Sequence, residues 1–275
     1  MHTKLSFHSL KTILITHEHG DHCYGLPGIL ASAGMGGRKA PLTIVAPAGI
    51  KAWLEATCEA TQLCLPFALK FIDSDELPSV AFGSMAITTF RLSYRAPSYA
   101  YGFTETKVDA ALDVDKLAQK GIPRGRLWGQ LKQGVDVEFA GERLKSHDYL
   151  ILKHKPRKVV VAGDNDQPDL LFEACKGAQV LVHEATYTEE MAQKAGDVGH
   201  SYAKLVAAFA ETVQLPNLVL THFSPRYQLN LKATPSIEDI RKEAENAYSG
   251  SLYLAQDFGE YTLDKAGHFT EVAGK

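Results

Sequence analysis

The chain has 275 residues, 45% of them hydrophobic, and a formal net charge of −3 at pH 7. This composition is normal for a packed globular protein, and the length suits one large domain. No apolar stretch approaches the ~20 residues of a membrane span, which argues against a membrane protein. The four cysteines show no CxxC pairing, so we expect a protein of the reducing cytoplasm.

The first predicted strand, residues 13–15, ends at a cluster of polar side chains. Residues 17–22 read HEHGDH and place three histidines and Asp21 within six positions. Neutral imidazole and carboxylate are ligands of zinc, and loops at strand ends build sites on a rigid scaffold. The sequence therefore predicts a metal site here. The alternative is a polar turn that holds the histidines by chance.

The segment after this motif alternates between predicted helices and strands. Apolar periodicity predicts helices over residues 26–33 and 49–61, and strands over residues 42–46, 67–72, 81–94 and 99–104. Glycines at 34, 36 and 37 are expected to end the first of these helices.

A basic segment follows, and its charge differs from that of the rest of the chain. Between Lys116 and Lys158 there are eleven Lys or Arg against four Asp or Glu, a balance of +7 that leaves −10 for all other residues. Such an asymmetry indicates contact with a polyanion. A short helix is predicted over residues 114–119, and the glycines and Pro123 after it predict an irregular, mobile excursion.

Within the excursion, Trp128 is surrounded in sequence by three cations, Arg124, Arg126 and Lys132. An aromatic ring among cations offers a stacking surface that suits unpaired RNA. Two alternatives remain open. The segment could be a solvated loop with surplus lysines, or the tryptophan could pack the excursion onto the body.

Three later predicted strands also end in candidate ligands or acid–base groups. Residues 158–162 lead to Asp164, residues 180–182 to His183 and Glu184, and residues 218–220 to His222. Together with the first strand, these ends describe a binuclear site built from loops. The remaining predicted elements are helices over 201–212, with Ser201 as N-cap and His200 before it, and 237–248, and strands over 252–255 and 260–263.

These motifs carry a resemblance to a known family. The HxHxDH motif, the later Gly-Asp and THFSPRY at 221–227 resemble the metallo-β-lactamase superfamily. Within it, HEATY at 183–187, Gly-His-Ser at 199–201 and the Gly-Ile-Pro-x-Gly…Leu-Lys-x-Gly segment resemble the ribonuclease Z family of tRNA 3′-processing endonucleases. The resemblance implies an α+β protein with a four-layer αββα fold. It also implies one domain over residues 1–275, with a basic tRNA-binding arm inserted at about 106–155.

The resemblance also implies roles for individual residues. Two divalent ions are expected, zinc or alternatively manganese. The implied metal ligands are His17 and His19 for the first ion, Asp21, His22 and His222 for the second, and Asp164 as the bridge. Asp21 would also accept a proton from the attacking water, and Glu184 with His200 would protonate the leaving oxygen. His183 would support the structure, and Arg124, Arg126, Trp128 and Lys132 would bind the substrate.

Three departures from the family pattern are visible. Tyr94 stands where the family has a third histidine for the first metal, and a neutral phenol is a poor zinc ligand. We therefore expect weakened binding of the first ion. The strands and glycine-containing loop that precede the HxHxDH strand in the family have no match here. Arg126 replaces a proline of the arm, which we expect to loosen the arm while adding a positive charge.

The implied function is a metal-dependent endoribonuclease that acts on tRNA precursors as a homodimer. It would use metal-activated water to remove the 3′ trailer, leaving a 3′-hydroxyl on the tRNA. One alternative is another hydrolase of the same fold, acting on a small phosphodiester or thioester. A second is a catalytically impaired RNA-binding homologue. The basic arm favours RNA over a small substrate, and metal content would separate an enzyme from a binding protein.

Overall fold

Two β-sheets, packed face to face, form the body of the protein. The computed structural model describes residues 6–77, 79–230 and 232–272. The strands are β1 (Thr12–Leu14), β2 (Leu42–Ala46), β3 (Leu69–Asp73), β4 (Val80–Phe82), β5 (Met85–Leu92), β6 (Ser98–Glu105), β7 (Ala110–Leu112), β8 (Val137–Phe139), β9 (Glu142–Leu144), β10 (Leu150–Leu152), β11 (Lys158–Ala162), β12 (Val180–Glu184), β13 (Asn217–Thr221), β14 (Ser251–Leu254), β15 (Glu260–Leu263) and β16 (Phe269–Val272). The helices are α1 (Gly20–Cys23), α2 (Leu26–Met35), α3 (Ala48–Ala60), α4 (Val114–Gln119), α5 (Arg126–Lys132), α6 (Phe172–Cys175), α7 (Ala192–Val198), α8 (Ala203–Thr212) and α9 (Ile237–Glu245).

The smaller sheet has the order β1-β2-β3, and its strands are parallel. The larger sheet has the order β14-β13-β12-β11-β6-β5-β4. Strands β11, β12, β13 and β14 pair parallel with one another, whereas the pairs β4–β5, β5–β6 and β6–β11 are antiparallel. Because β11, β12 and β13 are adjacent and parallel, their carboxyl ends lie at one edge of the sheet.

Three apolar clusters define four layers. Ile44 of β2 packs with Leu30 of α2 and Leu54 of α3 on the outer face of the small sheet. Val45 points the other way and packs with Ile87 and Tyr101 of the large sheet. On the far face of the large sheet, the buried residues of β11 to β13 pack against α8 and α9. The expected αββα arrangement is therefore confirmed.

Several boundaries differ from the sequence expectation for local reasons. Residues 81–94 form a hairpin of β4 and β5, because Gly83 adopts a positive φ of 67° at its turn. Helix α2 continues through Gly34 to Met35. Ser201 is not the cap of α8, since its hydroxyl donates to the carbonyl of Asn165 at 2.6 Å and the helix begins at Ala203.

The segment that follows β6 has a core of its own. Its buried residues come from α4, α5, the β8–β9 hairpin and the connecting loops: Leu117, Ile122, Leu131, Val137, Leu144 and Tyr149. The expectation of irregular structure after residue 121 is wrong for α5, which runs over Arg126–Lys132. Trp128 is half-buried within this cluster, and its indole N–H donates to the carbonyl of Ile122 at 3.1 Å. The tryptophan therefore stabilises the arm internally.

Two expectations concern the N-terminal end of the chain. Strand β1 pairs only with β2 among the described strands, so it is the edge of its sheet there. The absence of earlier strands stays a prediction, because residues 1–5 lie outside the described part of the chain.

No helix in the described ranges is long and apolar enough to cross a membrane.

An ionic clamp ties the two ends of the arm together. The carboxylate of Glu105, at the end of β6, accepts hydrogen bonds from Arg157 Nε at 3.0 Å and Nη2 at 2.9 Å. His154 Nε2 lies 3.0 Å from the same carboxylate, and Arg157 also donates to the carbonyl of Leu263. These partners, Arg157 first, lower the pKa of Glu105 to about 2.

The clamp predicts a pH-dependent stability. Because the folded-state pKa of Glu105 lies below its ordinary value of 4.5, the stabilisation is complete above pH 4.5 and is lost as the pH falls towards 2. The free energy of unfolding of Glu105→Gln, measured in urea, should therefore be lower than that of the unmodified chain. This deficit should be constant near neutrality and disappear between pH 4.5 and 2. Glu142→Gln, which breaks an exposed pair with Lys120, is the matched control and should show little deficit. A deficit independent of pH would contradict the assignment.

Candidate metal centre

The predicted metal ligands follow strands whose ends are held together by backbone hydrogen bonds. Tyr99 at the start of β6 donates its N–H to the carbonyl of Thr16, and Gly163 after β11 donates to the carbonyl of Tyr99. A Cβ on Gly163 would lie only 2.7 Å from Cβ of Thr16, so glycine is required for this approach. Ala185 after β12 donates to Thr221 at the end of β13. The loops after β1, β11, β12 and β13 therefore meet.

Asp164 lies at the centre of the resulting cluster and is buried. Its Oδ2 atom is 3.5 Å from Nε2 of His17, and its Oδ1 atom is 3.6 Å from Nε2 of His22 and 3.7 Å from Nε2 of His222. The exposed Asp21 carboxylate lies 3.4 Å from Nε2 of His22 and 3.3 Å from Nε2 of His222. Two carboxylates thus face three imidazole nitrogens.

The chemistry of these donors fits a divalent cation. The Nε2 atoms of His17 and His22 are buried and have no hydrogen-bond partner, a costly condition that a bound metal would relieve. Burial, helped by the neighbouring histidines, lowers the pKa of His17 to about 3, and burial also lowers that of His22 despite the two carboxylates. Both rings are therefore neutral at pH 7, which is the form that binds metals.

A buried threonine orients the His222 ring. Thr186 Oγ1 donates to the carboxylate of Glu184 at 2.6 Å and lies 2.8 Å from Nδ1 of His222. Since the single hydroxyl proton is used by Glu184, the Nδ1–H of His222 donates to Thr186. The Nε2 lone pair of His222 then faces Asp21 and Asp164. His222 also has a positive φ of 57°, a strained conformation for a residue other than glycine, as is common at functional sites.

His19 is arranged differently from the other motif histidines. Three groups of described residues bring their donor atoms within 4.8 Å of one another: His17, His22 and Asp164; Asp21, His22 and His222; and Asp164, His200 and His222. His19 belongs to none of them. Its Nδ1 atom lies 3.1 Å from the hydroxyl of Tyr94. Burial raises the pKa of that hydroxyl to about 12, so it is a neutral phenol.

Glu184 and His200 form a buried ion pair beside the cluster. His200 Nδ1 is 3.1 Å from Oε1 of Glu184, and the carboxylate also accepts backbone N–H groups of Asn165, Thr186 and Ser201. Burial opposes charge on both groups. For His200, the hydrogen bond to Glu184 and the negative charge of Glu184 outweigh the effect of burial, so the pKa of His200 is raised. For Glu184, the hydrogen bond from His200 outweighs burial in the same way and lowers its pKa. The pair is therefore charged and fixed in orientation.

Three polar residues of the site were not singled out from the sequence. Thr186 and Asn165 hold the Glu184 side of the cluster, and Thr16 Oγ1 lies 3.2 Å from Nδ1 of His17. Asn165 also donates to Nε2 of the buried His183, whose Nδ1 donates to a backbone carbonyl. Their only sequence signal is that each is adjacent or nearly adjacent to a predicted ligand or acid–base residue.

The predicted substrate-binding residues lie in the arm, on or beside α5. The guanidinium of Arg124 lies 5.4 Å from the ring centroid of Trp128, while Arg126 and Lys132 are exposed. No described hydrogen bond or ion pair joins these side chains to the metal cluster. They form a cationic surface on a separate folded unit.

The hydrogen bond of Thr186 to His222 predicts a measurable effect on metal binding. Thr186→Ala should weaken zinc binding by about 10–100-fold, because His222 loses the acceptor that fixes its tautomer. Thr186→Ser keeps the hydroxyl and should retain most of the affinity. Competition with a chromogenic chelator measures both variants. Equal affinities for the alanine and serine variants would show that the hydroxyl has no such role.

Comparisons with known proteins agree with this geometry. A family model described as a beta-lactamase superfamily domain matches residues 2–113. A ribonuclease Z of Pseudomonas putida is 48% identical over 275 residues, covering 100% of this chain and 86% of that protein. A ribonuclease Z of Marinobacter nauticus is 44% identical, with 96% and 83% covered.

Solved structures show the same fold. The human tRNase Z short form has a TM-score of 0.58 at 22% identity, over 98% of this chain and 81% of that one. The metallo-β-lactamase fold protein YhfI of Bacillus subtilis has a TM-score of 0.59 at 18% identity, over 98% and 80%. The identity to these relatives extends over nearly the full length of the chain, so it establishes the family as well as the fold. This chain belongs to the ribonuclease Z family of the metallo-β-lactamase superfamily.

Proposed function

We propose that this chain is a metal-dependent endoribonuclease that removes the 3′ trailer from tRNA precursors and leaves a 3′-hydroxyl on the tRNA. The observation that carries the proposal is the cluster of unpartnered imidazoles around the buried Asp164, next to the Glu184–His200 pair. Membership of the ribonuclease Z family supports RNA as the substrate.

The residues that would hold divalent ions are Asp21, His22, Asp164 and His222, with His17 and His19 as the set weakened by Tyr94. Zinc is the proposed ion and manganese the alternative, since both accept imidazole and carboxylate. A bound divalent ion supplies a Lewis acid that lowers the pKa of water and offsets charge on the phosphoryl oxygens.

Asp21 is proposed as the acceptor of the water's proton. Its side chain is 66% exposed, so one face of the carboxylate is open to water and substrate. Its Oδ2 atom is also held within 3.4 Å of two imidazole nitrogens. This combination supports a role for Asp21 as an unburied base at the entrance of the cluster.

His200 is proposed as the general acid. Glu184 fixes its Nδ1 side at 3.1 Å and favours the charged imidazolium, while Nε2 points to the other side of the ring, 3.5 Å from the Tyr94 hydroxyl. A proton on Nε2 could be transferred to the 3′ oxygen of the tRNA as the bond to phosphorus breaks. The trailer then leaves with a 5′-phosphate.

The arm, residues 106–155, is proposed to grip the tRNA body. Support comes from its excess of positive charge and its separate core, which lets it present α5 as a rigid surface.

Free cysteines at all four positions support a cytoplasmic location.

Homodimer formation is also proposed, supported by the large exposed apolar side chains of the α1–α2 region, which are Tyr24, Ile29 and Met35. Sedimentation velocity tests it, and a monomer at micromolar concentration would refute it.

The cleavage reaction is the direct test of the proposed function. An end-labelled tRNA precursor with a 3′ trailer should give a single metal-dependent cut near the acceptor stem. Asp21→Ala should lower the rate by about 10²–10⁴-fold, because a base and a metal donor are lost together. Hydrolysis of bis(p-nitrophenyl) phosphate without any cut in the RNA would favour the small-substrate alternative. RNA binding with no metal bound would favour the impaired homologue.

The arm predicts a separation between RNA and small substrates. Replacing Arg124, Arg126 and Lys132 together by alanine should weaken tRNA binding and reduce the slope of log K against log salt by about 2, because phosphate contacts are lost. Hydrolysis of bis(p-nitrophenyl) phosphate should be unchanged. Lys51→Ala, an exposed lysine on α3, is the control. An equal loss on both substrates would refute the role of the arm.

A further inference from the structure

The two halves of the metal centre differ in how completely their donors are assembled. Asp21, His22 and His222 form a closed group, and Oδ1 of Asp164 faces the last two of these at 3.6 and 3.7 Å. The other half should consist of His17, His19 and Asp164. Among the described residues, His19 joins no group of metal-binding donors, although His17 and Asp164 do.

Tyr94 fills the space between the imidazoles of this second half. Its hydroxyl lies 3.1 Å from His19 Nδ1 and 3.5 Å from His200 Nε2. Its ring centroid is 5.1 Å from those of both His17 and His19. Nδ1 of His19 is engaged in the hydrogen bond with the Tyr94 hydroxyl, so this nitrogen already has a partner.

The exposed side chain of Arg95 adds a positive charge at the same place. Its Nη2 atom donates to the Tyr94 hydroxyl at 3.3 Å, and its guanidinium carbon lies 5.4 Å from the Tyr94 ring centroid. Among the described residues, Tyr94 is the only hydrogen-bond acceptor found for Arg95. A cation in this position repels a second divalent ion and leaves N–H donors available to an anion.

The neighbouring loop is shaped to accept this pair. Gly199, just before His200, has a positive φ of 79°. A Cβ there would lie 3.0 Å from Cδ2 of Tyr94 and 3.3 Å from Cγ of Arg95. The absence of a side chain at Gly199 therefore makes room for both residues.

His17 has another role available besides ligation. Its Nε2 atom faces Oδ2 of Asp164 at 3.5 Å, and its Nδ1 atom lies 3.2 Å from the hydroxyl of Thr16. This nitrogen makes no hydrogen bond in the structure, so with a single ion bound elsewhere a neutral His17 would have to approach Asp164 Oδ2 more closely to orient that carboxylate towards His22 and His222.

We propose that this chain holds one tightly bound divalent ion, on Asp21, His22, Asp164 and His222, and that Arg95, fixed on Tyr94, takes the place of a second ion at the substrate phosphate. Arginine suits this task, because its planar guanidinium matches the geometry of a phosphate and is always charged. The phosphate half of this proposal rests on the proposed function, whereas the metal half does not.

Metal stoichiometry tests the first half without an activity assay. The chain is stripped of metal with a chelator, reloaded with excess ZnCl₂ or MnCl₂ and desalted. The metal bound per chain is then measured by inductively coupled plasma mass spectrometry. One ion per chain is expected for the unmodified protein, and two for Tyr94→His. Two ions in the unmodified protein would overturn the proposal, and so would a folded Tyr94→His protein that still holds one.

His222→Ala provides a second test that does not depend on the folding of the Tyr94 variant. Removing a ligand of the single site should leave no tightly bound ion. An ion retained with undiminished affinity would mean that His17 and His19 form a site of their own, which would overturn the proposal. Circular dichroism of the variant confirms that the fold is kept.

The role of Arg95 is tested by combining it with the restored histidine. Arg95→Ala should lower kcat for tRNA-precursor cleavage by about 10–100-fold in the unmodified chain, as for other lost transition-state donors. In the Tyr94→His background, where a second ion is present, the same change should cost less than about threefold, the size of a minor contact. Arg91→Ala, an exposed arginine on β5, is the control and should have no effect. Equal losses from Arg95→Ala in both backgrounds would overturn the proposal.

Failure of the inference and failure of the proposed function give different results. Two ions per chain together with correct cleavage of the precursor would refute only the inference. One ion per chain with no cleavage of any tRNA precursor would refute only the proposed function, and the metal half of the inference would stand.

Discussion

The buried carboxylate of Asp164 is the constraint on which the site depends. It lies at the point where loops from four strands meet and is only 2% exposed. Among the described residues, its close charged neighbours are histidines and no Lys or Arg pairs with it. A buried carboxylate without a cation costs several kcal/mol. His17 and His22 are neutral and cannot supply this charge, and the charged His200 lies 3.8 Å away, so a divalent ion held between Asp164 and the neutral rings would stabilise the carboxylate further.

The cluster keeps its geometry because a second set of polar groups is almost fully hydrogen-bonded. Glu184 accepts from three backbone N–H groups, from Thr186 Oγ1 and from His200, so its buried charge is well compensated. Through Thr186 this carboxylate also controls the His222 tautomer. Glu184 thus fixes the orientation of a proposed metal ligand and of the proposed general acid at once, although it belongs to none of the groups of metal-binding donors among the described residues.

The sequence predicted those features that depend on local pattern. Strand ends that carry ligands could be identified because an apolar run followed by His or Asp is a local signal, and the residues around Asp164 and His222 are indeed brought together. Helix α5 was missed because Gly125 and Gly129 argue against a helix, and the packing of Leu127, Trp128 and Leu131 into the arm's core outweighs them. Thr186 gained its meaning only when β13 placed His222 beside β12, which is a tertiary event.

Asp164 also separates the site into two chemically different sides. Its Oδ1 atom faces His22 and His222, where the open carboxylate of Asp21 lies, while its Oδ2 atom faces His17 and, at 3.8 Å, His200. The Asp21 side offers the proposed base and most of the proposed metal ligands, which suits the attacking water. The other side offers His200, the proposed general acid, beside Tyr94 and Arg95, which suits the leaving oxygen and its phosphate. A guanidinium cannot lower the pKa of water as a divalent ion does, but it can stabilise negative charge on phosphate, so replacing an ion by Arg95 is compatible with catalysis only on this second side.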